Sequence, residues 1–245
     1  MRKNYISSVA LLFSFLFVPS DISLFGQSNT AKSGVSPSPP QGIISEHKYV
    51  DLGLSVLWAT CNVGASLPEE YGNYFPWGEV YNVESFSWES YKYGETSNDN
   101  KHLLKKYIPT NAEDCGINGY SDGLTSLDII DDVANTQWSS NWRIPTREEF
   151  RELCSNCTLK WITINGHNGY QFTADNGNSI FLPAAGHREG DLYYWDENRY
   201  GYYWSADVFE RKPEDAWGLY FHRGIADVAH GARNRGFSVR PVIDR

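Results

Sequence analysis

Downstream of Cys157 the chain carries one strand signal after another, and that succession limits its fold more than any other feature. In "YYWSAD", "AWGLYF" and "GFSVRPV" large apolar residues alternate with small or polar ones, between glycines. A period of two belongs to a strand with one face buried and the other in water. Upstream, "KWITING" and "YQFTA" flank a turn expected at Gly166 to Gly169, and "DNGNS" turns into "IFLPAAG". Short turns give antiparallel pairing, because parallel neighbours need a long crossover. The 21 Gly and 11 Pro agree with many turns and short strands rather than a helical bundle. One stretch breaks the pattern: from His222 to Arg235, small, charged, aliphatic and polar residues follow no visible period. An irregular loop held between two firm strands is expected there.

Helical signals are fewer and come earlier. In "NWRIPTREEFRELCSNC", Thr146 and Glu149 form a capping box, Pro145 stands just before it, and Phe150 and Leu153 line one apolar face. "SLDIIDDVANTQW" predicts a shorter helix with Ile129, Ile130 and Val133 turned inward. "HKYVDLGLSVLWATCNVGA" holds two apolar runs broken at Gly53 and predicts a strand pair. "YGNYFPWGEV" and "SFSWESYKYGETSNDNKH" predict irregular chain pinned by buried rings, with a loop tip at Asn98 to Asn100. The class expected is α+β, with short helices and a small antiparallel β-sheet in the C-terminal half.

At the N-terminus Arg2 and Lys3 precede an apolar run from Ile6 to Val18. This reads as a signal peptide over residues 1–26, its apolar run shorter than the roughly twenty residues that span a bilayer. Cleavage after Ser20 or after Gly26 fits equally. No Cys follows the apolar run, so a lipid anchor is unsupported. Residues 27–45, rich in Ser, Pro and Gly, predict a linker, and 46–245 a single domain. The mature chain is expected outside the cytoplasm without membrane insertion. A net charge of -9 with no long basic run argues against nucleic acid and anionic lipid as partners.

Export sets how Cys61, Cys115, Cys154 and Cys157 read: structural disulfides, with three possible full pairings, or buried free thiols. Cys154-Ser-Asn-Cys157 has redox or half-zinc spacing, but no second close pair and no neighbouring His completes a zinc set. The six histidines form no H-x-x-x-H or H-x-H pair, and there is no G-x-S-x-G elbow or phosphate loop. Glu148 and Glu149 suit the first turn of a helix, where carboxylates favour the dipole. Asp175-Asn176-Gly177-Asn178 offers oxygens suited to calcium, yet Asn-Gly is first of all a turn signal. No enzymatic activity, metal or cofactor is expected.

Four stretches carry a family resemblance. "YVDLGLSVLWATCNVGA", "NWRIPTREEFREL", "IFLPAAGHREG" and "YYWSAD…AWGLYF…GFSVRPV" are similar to the exported bacterial proteins of the Fibrobacter succinogenes major paralogous domain type, above all those of gut Bacteroidales. The likeness runs from about Tyr49 to Val242. It implies a C-type-lectin-like fold of the sulfatase-modifying-factor branch, with "WRIPTREEF" as the helix start and "GFSVR" as the closing strand. Formylglycine-generating enzymes of that branch work through two cysteines near the C-terminus, with copper and oxygen. Here the last cysteine is Cys157, and a thiol site cannot operate without thiols. The E-P-N, Q-P-D and W-N-D motifs of calcium-dependent lectins are also missing, and "YWDENRY" does not replace them.

The resemblance places ligand contacts between "YWSAD" and the closing strand, where retroelements diversify some relatives by rewriting adenines. Rewriting an AAC codon cannot yield Lys, Glu, Gln, Met or Trp. Every residue from His222 to Arg235 lies outside that set, whereas Glu210, Lys212 and Glu214 do not. The expectation is an adhesin-like, non-enzymatic binding module at the bacterial surface, secreted or periplasmic, with a protein or glycan ligand. Its contact residues would be Tyr193, Tyr194, Trp195, Tyr200, His222, Arg223, Asp227, His230, Arg233 and Asn234. Tyr202 and Tyr203 would be further exposed aromatics, and Trp204 and Trp217 core residues. The alternative is a structural component of a surface appendage or envelope assembly.

Overall fold

In a computed structural model the described residues are 41–96, 102–193 and 196–245. The early apolar runs pair as expected: β2 (His47–Val50) lies antiparallel to β3 (Val56–Ala59), with Val50 opposite Trp58. Gly53, at φ 73°, takes the left-handed turn between them. A preceding strand, β1 (Gln41–Ile44), covers four residues of the stretch read as linker. The chain then runs largely without strands to a short pair, β4 (Gly94–Thr96) and β5 (His102–Leu104). Buried Phe75, Trp77, Tyr91 and Tyr93 anchor this irregular part, as its aromatic content predicts. The expected tip at Asn98 to Asn100 lies outside the described residues.

The "SLDIIDDVANTQW" segment inverts its predicted polarity. Val133 opens α1 (Val133–Gln137) and is buried, but Ile129 and Ile130 are 61% and 70% exposed. The two aspartates beside them go inward instead. Asp132 caps α1, accepting from the N–H groups of Ala134 (2.8 Å) and Asn135 (3.2 Å), and also from Ile144 N (2.7 Å). Asp131 accepts from Lys92 Nζ (2.9 Å), Lys106 Nζ (2.8 Å) and Tyr107 Oη (2.5 Å). A single turn cannot bury both pairs, and the cations and N–H donors are fixed by the surrounding fold. Burial would raise the Asp131 carboxyl, but hydrogen bonds from Lys106, Tyr107, Tyr93 and Lys92 outweigh it and hold the group well below the usual carboxylate range. A depressed folded pKa stabilises above the unfolded value, near pH ~4, and the gain is lost as pH falls through the folded value. Asp131→Asn is therefore expected to melt lower than wild type at neutral pH, the gap closing in acid. Melts in which the gap ignores pH would refute this.

The capping box forms as predicted. Thr146 Oγ1 accepts from Glu149 N (3.2 Å), and Glu149 Oε2 accepts from Thr146 N (2.7 Å), starting α2 (Arg147–Asn156) with Phe150 and Leu153 buried. The helix runs directly into β6 (Cys157–Ile164), which pairs with β7 (His167–Ala174) and then β8 (Ser179–Pro183). The β6–β7 turn is the two-residue Asn165–Gly166, both at positive φ, one step earlier than expected. At the next turn the amides of Asn176 and Asn178 both donate to Asp51 O (2.9 and 2.7 Å), so these side chains tie turn to turn.

The largest correction concerns His222 to Arg235. β9 (Arg188–Glu189) and β10 (Leu192–Tyr193) form a small pair, followed by β11 (Tyr200–Val208), β12 (Asp215–His222) and β13 (Ile225–Ala232) in an antiparallel sheet of that order. The supposed irregular loop is thus a tight hairpin and a full strand, in continuous register with β12. Its period is hidden by small residues. Ala226 and Val228 pack on the inner cluster, while on the other face Phe237 lies so close to Gly231 that a Cβ there would stand 2.8 Å from the ring. "GFSVRPV" in turn is not one strand: Gly236, Phe237 and Ser238 make isolated bridges to Arg188, Phe75 and Tyr203. The last strand is β14 (Val242–Asp244), which joins β3 in the sheet β1-β2-β3-β14. The described residues are therefore mostly antiparallel β with few, short helices, and the strands lie at both ends of the domain rather than in the C-terminal half alone. Among the described residues no helix is long and apolar enough to cross a membrane.

Candidate functional site

The β11–β12–β13 sheet has two unlike faces. On the inner one Tyr203, Leu219, Phe221, Ala226 and Val228 pack with Phe150 and Leu153 of α2. Gly201 is required there, since a Cβ would sit 2.1 Å from the Phe221 ring. A bulge between Trp204 and Val208 re-aims β11, and Asp207 accepts from Arg147 N (2.5 Å) at the start of α2. The sheet is thereby pinned to the helix.

Strand alternation sends the remaining rings outward. Tyr200 stands opposite His222, and Tyr202 opposite Tyr220. All four are half-buried, with ring centroids 6.0 Å apart for Tyr200–Tyr220, 5.2 Å for Tyr202–Tyr220 and 5.5 Å for Tyr200–His222. Among the described residues the Tyr200 and Tyr220 hydroxyls make no hydrogen bond. β13 continues this face with exposed Asp227 opposite Tyr220, and Ala229 opposite Gly218. The small residues leave a hollow of about 70 Å³ bounded by Tyr202, Tyr220, Phe237 and Arg235.

Polar groups rim the array. His187, buried beside Tyr202 with centroids 4.8 Å apart, has Nδ1 3.4 Å from Asp196 Oδ2 and Nε2 3.9 Å from Glu189 Oε2. Burial, helped by the Arg235 charge, lowers its pKa and favours the neutral ring. Arg235 pairs with Glu189 (3.0 Å), and the Tyr202 hydroxyl donates to Asp196 Oδ2 (3.4 Å). This rim comes from segments remote in sequence, joined by the Arg188–Gly236 bridge.

Of the residues expected to form the contact surface, Tyr200, His222 and Asp227 meet on this face, and Arg223 is exposed at the hairpin tip. Two others need correction, and so does Tyr203 of the further aromatics. Arg233 is 0% exposed; its guanidinium donates to the carbonyls of Tyr107 (2.7 Å) and Lys106 (3.2 Å) and lies 4.7 Å from the Trp77 ring. Asn234, also buried, donates to Phe86 O (3.0 Å). The tight turn after β13 drives both side chains inward. His230 is exposed and lines the hollow, its ring stacked on Phe209 with Nδ1 2.7 Å from Asp215 Oδ2. Tyr203, one residue out of phase with Tyr202, is fully buried. Tyr193 lies in β10 and its side chain is not described; Tyr194 and Trp195 lie outside the described residues. Trp204 is core, but Trp217 is only half-buried, covered by the Arg147 guanidinium at 4.9 Å. Tyr220 was missed, although its phase opposite Leu219 and Phe221 in "AWGLYF" marks it as outward.

Other chemistry is thinner. All four cysteines are free and half-buried. Burial pushes the Cys154 thiol up to about 12 and Cys157 up to about 11, so neither is a thiolate at neutral pH. Among the described residues no cluster of three His, Cys, Asp or Glu side chains could hold a metal ion. What the aromatic face offers is ring surface, hydroxyls and balanced charges, held on rigid strands.

A family model described as a domain of unknown function, DUF8237, matches residues 130–242, the span from the turn before α1 to the start of β14. No curated protein and no solved structure matches the chain.

Proposed function

We propose that this protein is an exported, non-enzymatic, adhesin-like binding module, and that the outer face of β11–β13 is its recognition surface. The scaffold proposed is C-type-lectin-like, of the Fibrobacter succinogenes paralogous type; the short helices, the antiparallel sheets and the capped α2 agree with that reading. One observation carries the function. Tyr200, Tyr202, Tyr220 and His222 converge on one face, only half-covered by their own chain, while the opposite face of the same sheet is sealed by α2. A contiguous cluster of rings left partly in water marks a surface that a partner can cover, and rigid aromatics lose little entropy on binding.

Tyr200→Ala combined with Tyr220→Ala tests the reading. Both rings sit outside the two core clusters, so the melting temperature is expected to stay within a few degrees of wild type. Capture of ligand on glycan and host-protein arrays is expected to fall about tenfold or more. A folded double variant that captures ligand as well as wild type does would end the proposal.

A further inference from the structure

The recognition face also carries a signature of ligand class, an assignment that rests on the binding role proposed for that face. A glycan, a polypeptide and a charged polymer each ask something different of a surface. A polypeptide anchors large side chains in deep desolvated pockets or adds a strand to an open edge. Here the hollow is only about 70 Å³, well below the range for small-molecule sites, and is floored by the backbone-close Gly218 and Ala229. The edge route is obstructed as well. β13 is the edge strand, and at its centre the N–H of Val228 donates to Asp227 Oδ1 (2.7 Å), so a donor needed for strand addition is already engaged.

A charged polymer fits no better. Around the rings, Asp196, Asp227 and Glu189 alternate with Arg235 and Arg223, so neither sign dominates. Such a rim repels neither sign strongly and collects neither. It does supply acceptors and donors side by side. Vicinal hydroxyls, each both donor and acceptor, use that mixture fully, with carboxylates accepting and guanidinium donating. The C–H face of a pyranose lies flat against an aromatic ring, and several neighbouring rings suit successive sugars. The shallow hollow then accepts a small substituent such as a hydroxymethyl or acetamido group.

We infer that the outer face of β11–β13 binds a neutral pyranose glycan, stacked on Tyr200, Tyr202, Tyr220 and His222 with its hydroxyls shared between Asp227, Asp196 and Arg235. The juxtaposition of unengaged phenols with a charge-balanced rim and a shallow floor is what separates this ligand from the others.

The test is titration calorimetry of the full chain with hexasaccharides of β-1,4-linked glucose, mannose, xylose and N-acetylglucosamine, with oligogalacturonate as the anionic control. At least one neutral oligosaccharide is expected to bind, with an affinity little changed by added salt. Tyr220→Ala should weaken that binding about tenfold or more, and Asp227→Asn by a smaller factor. No binding by any of the four, or preference for the anionic control, overturns the glycan assignment. A polypeptide captured by wild type and lost in Tyr220→Ala would also overturn it, while leaving the recognition face standing. A neutral glycan held equally by Tyr220→Ala would sink the face itself.

Discussion

Arg240→Ala is expected to cost on the order of 4 kcal/mol and to lower the melting temperature by roughly 8–16 °C. Arg240 is fully buried, and its guanidinium acts as a hub for the main chain. Nε donates to Asn62 Oδ1 (2.9 Å), Nη1 to the carbonyls of Ala59 (3.2 Å) and Thr60 (2.9 Å), and Nη2 to Phe181 O (3.0 Å). These acceptors belong to the end of β3 and to β8, elements of two separate sheets. Burial lowers the pKa of the guanidinium, which measures what the interior charges against a cation, yet the geometry satisfies every arm of the fork. Removing the side chain leaves carbonyls buried without donors, and that orphaning is the larger loss. Arg240→Met should fare little better, because an apolar side chain of similar length still donates nothing. Urea unfolding would check both variants, and a loss below about 1 kcal/mol in either would show that water replaces the guanidinium without penalty.

The second expectation contrasts two arginines of one segment. Arg233→Ala should destabilise the protein by about 3 kcal/mol, whereas Arg223→Ala should stay within about 0.5 kcal/mol of wild type. Sequence alone gives no reason to separate them, since both flank the same hairpin strand. In the fold Arg223 is exposed at the hairpin tip, while Arg233 is fully buried beneath Trp77. Arg233 also secures a left-handed residue: Tyr107 sits at φ 62°, its carbonyl bound by Arg233 and its N–H by Asp122 (2.8 Å). A non-glycine residue holds that conformation only where its surroundings over-determine it. Thermal melts of the two variants side by side would decide. Equal melting temperatures would return Arg233 to the surface reading that its sequence context invites.

Helix α2, strand β12 and part of the contact face were legible because local chemistry writes them. Thr146 and Glu149 announce α2 through a reciprocal cap that depends on four consecutive residues alone. "AWGLYF" announces β12 because Trp217, Leu219 and Phe221 alternate with smaller or polar partners, and the same phase would have yielded Tyr220. His222, one step beyond Phe221 in the same phase, was reachable by the same route.

Tertiary structure alone decided the rest. Hydrophobic period reports contrast between core and water, and it fades where both faces of a strand meet protein or where inner positions must be small. β13 is such a strand, with Ala226 and Val228 inward and Phe237 folded over Gly231. Polarity likewise predicts exposure only when no partner waits inside. Asp131 met lysines and a tyrosine hydroxyl, and Arg233 met open carbonyls, so the charged residues went in while Ile129 and Ile130 stayed out. Those partners come from chain segments far away in sequence, which no local window contains.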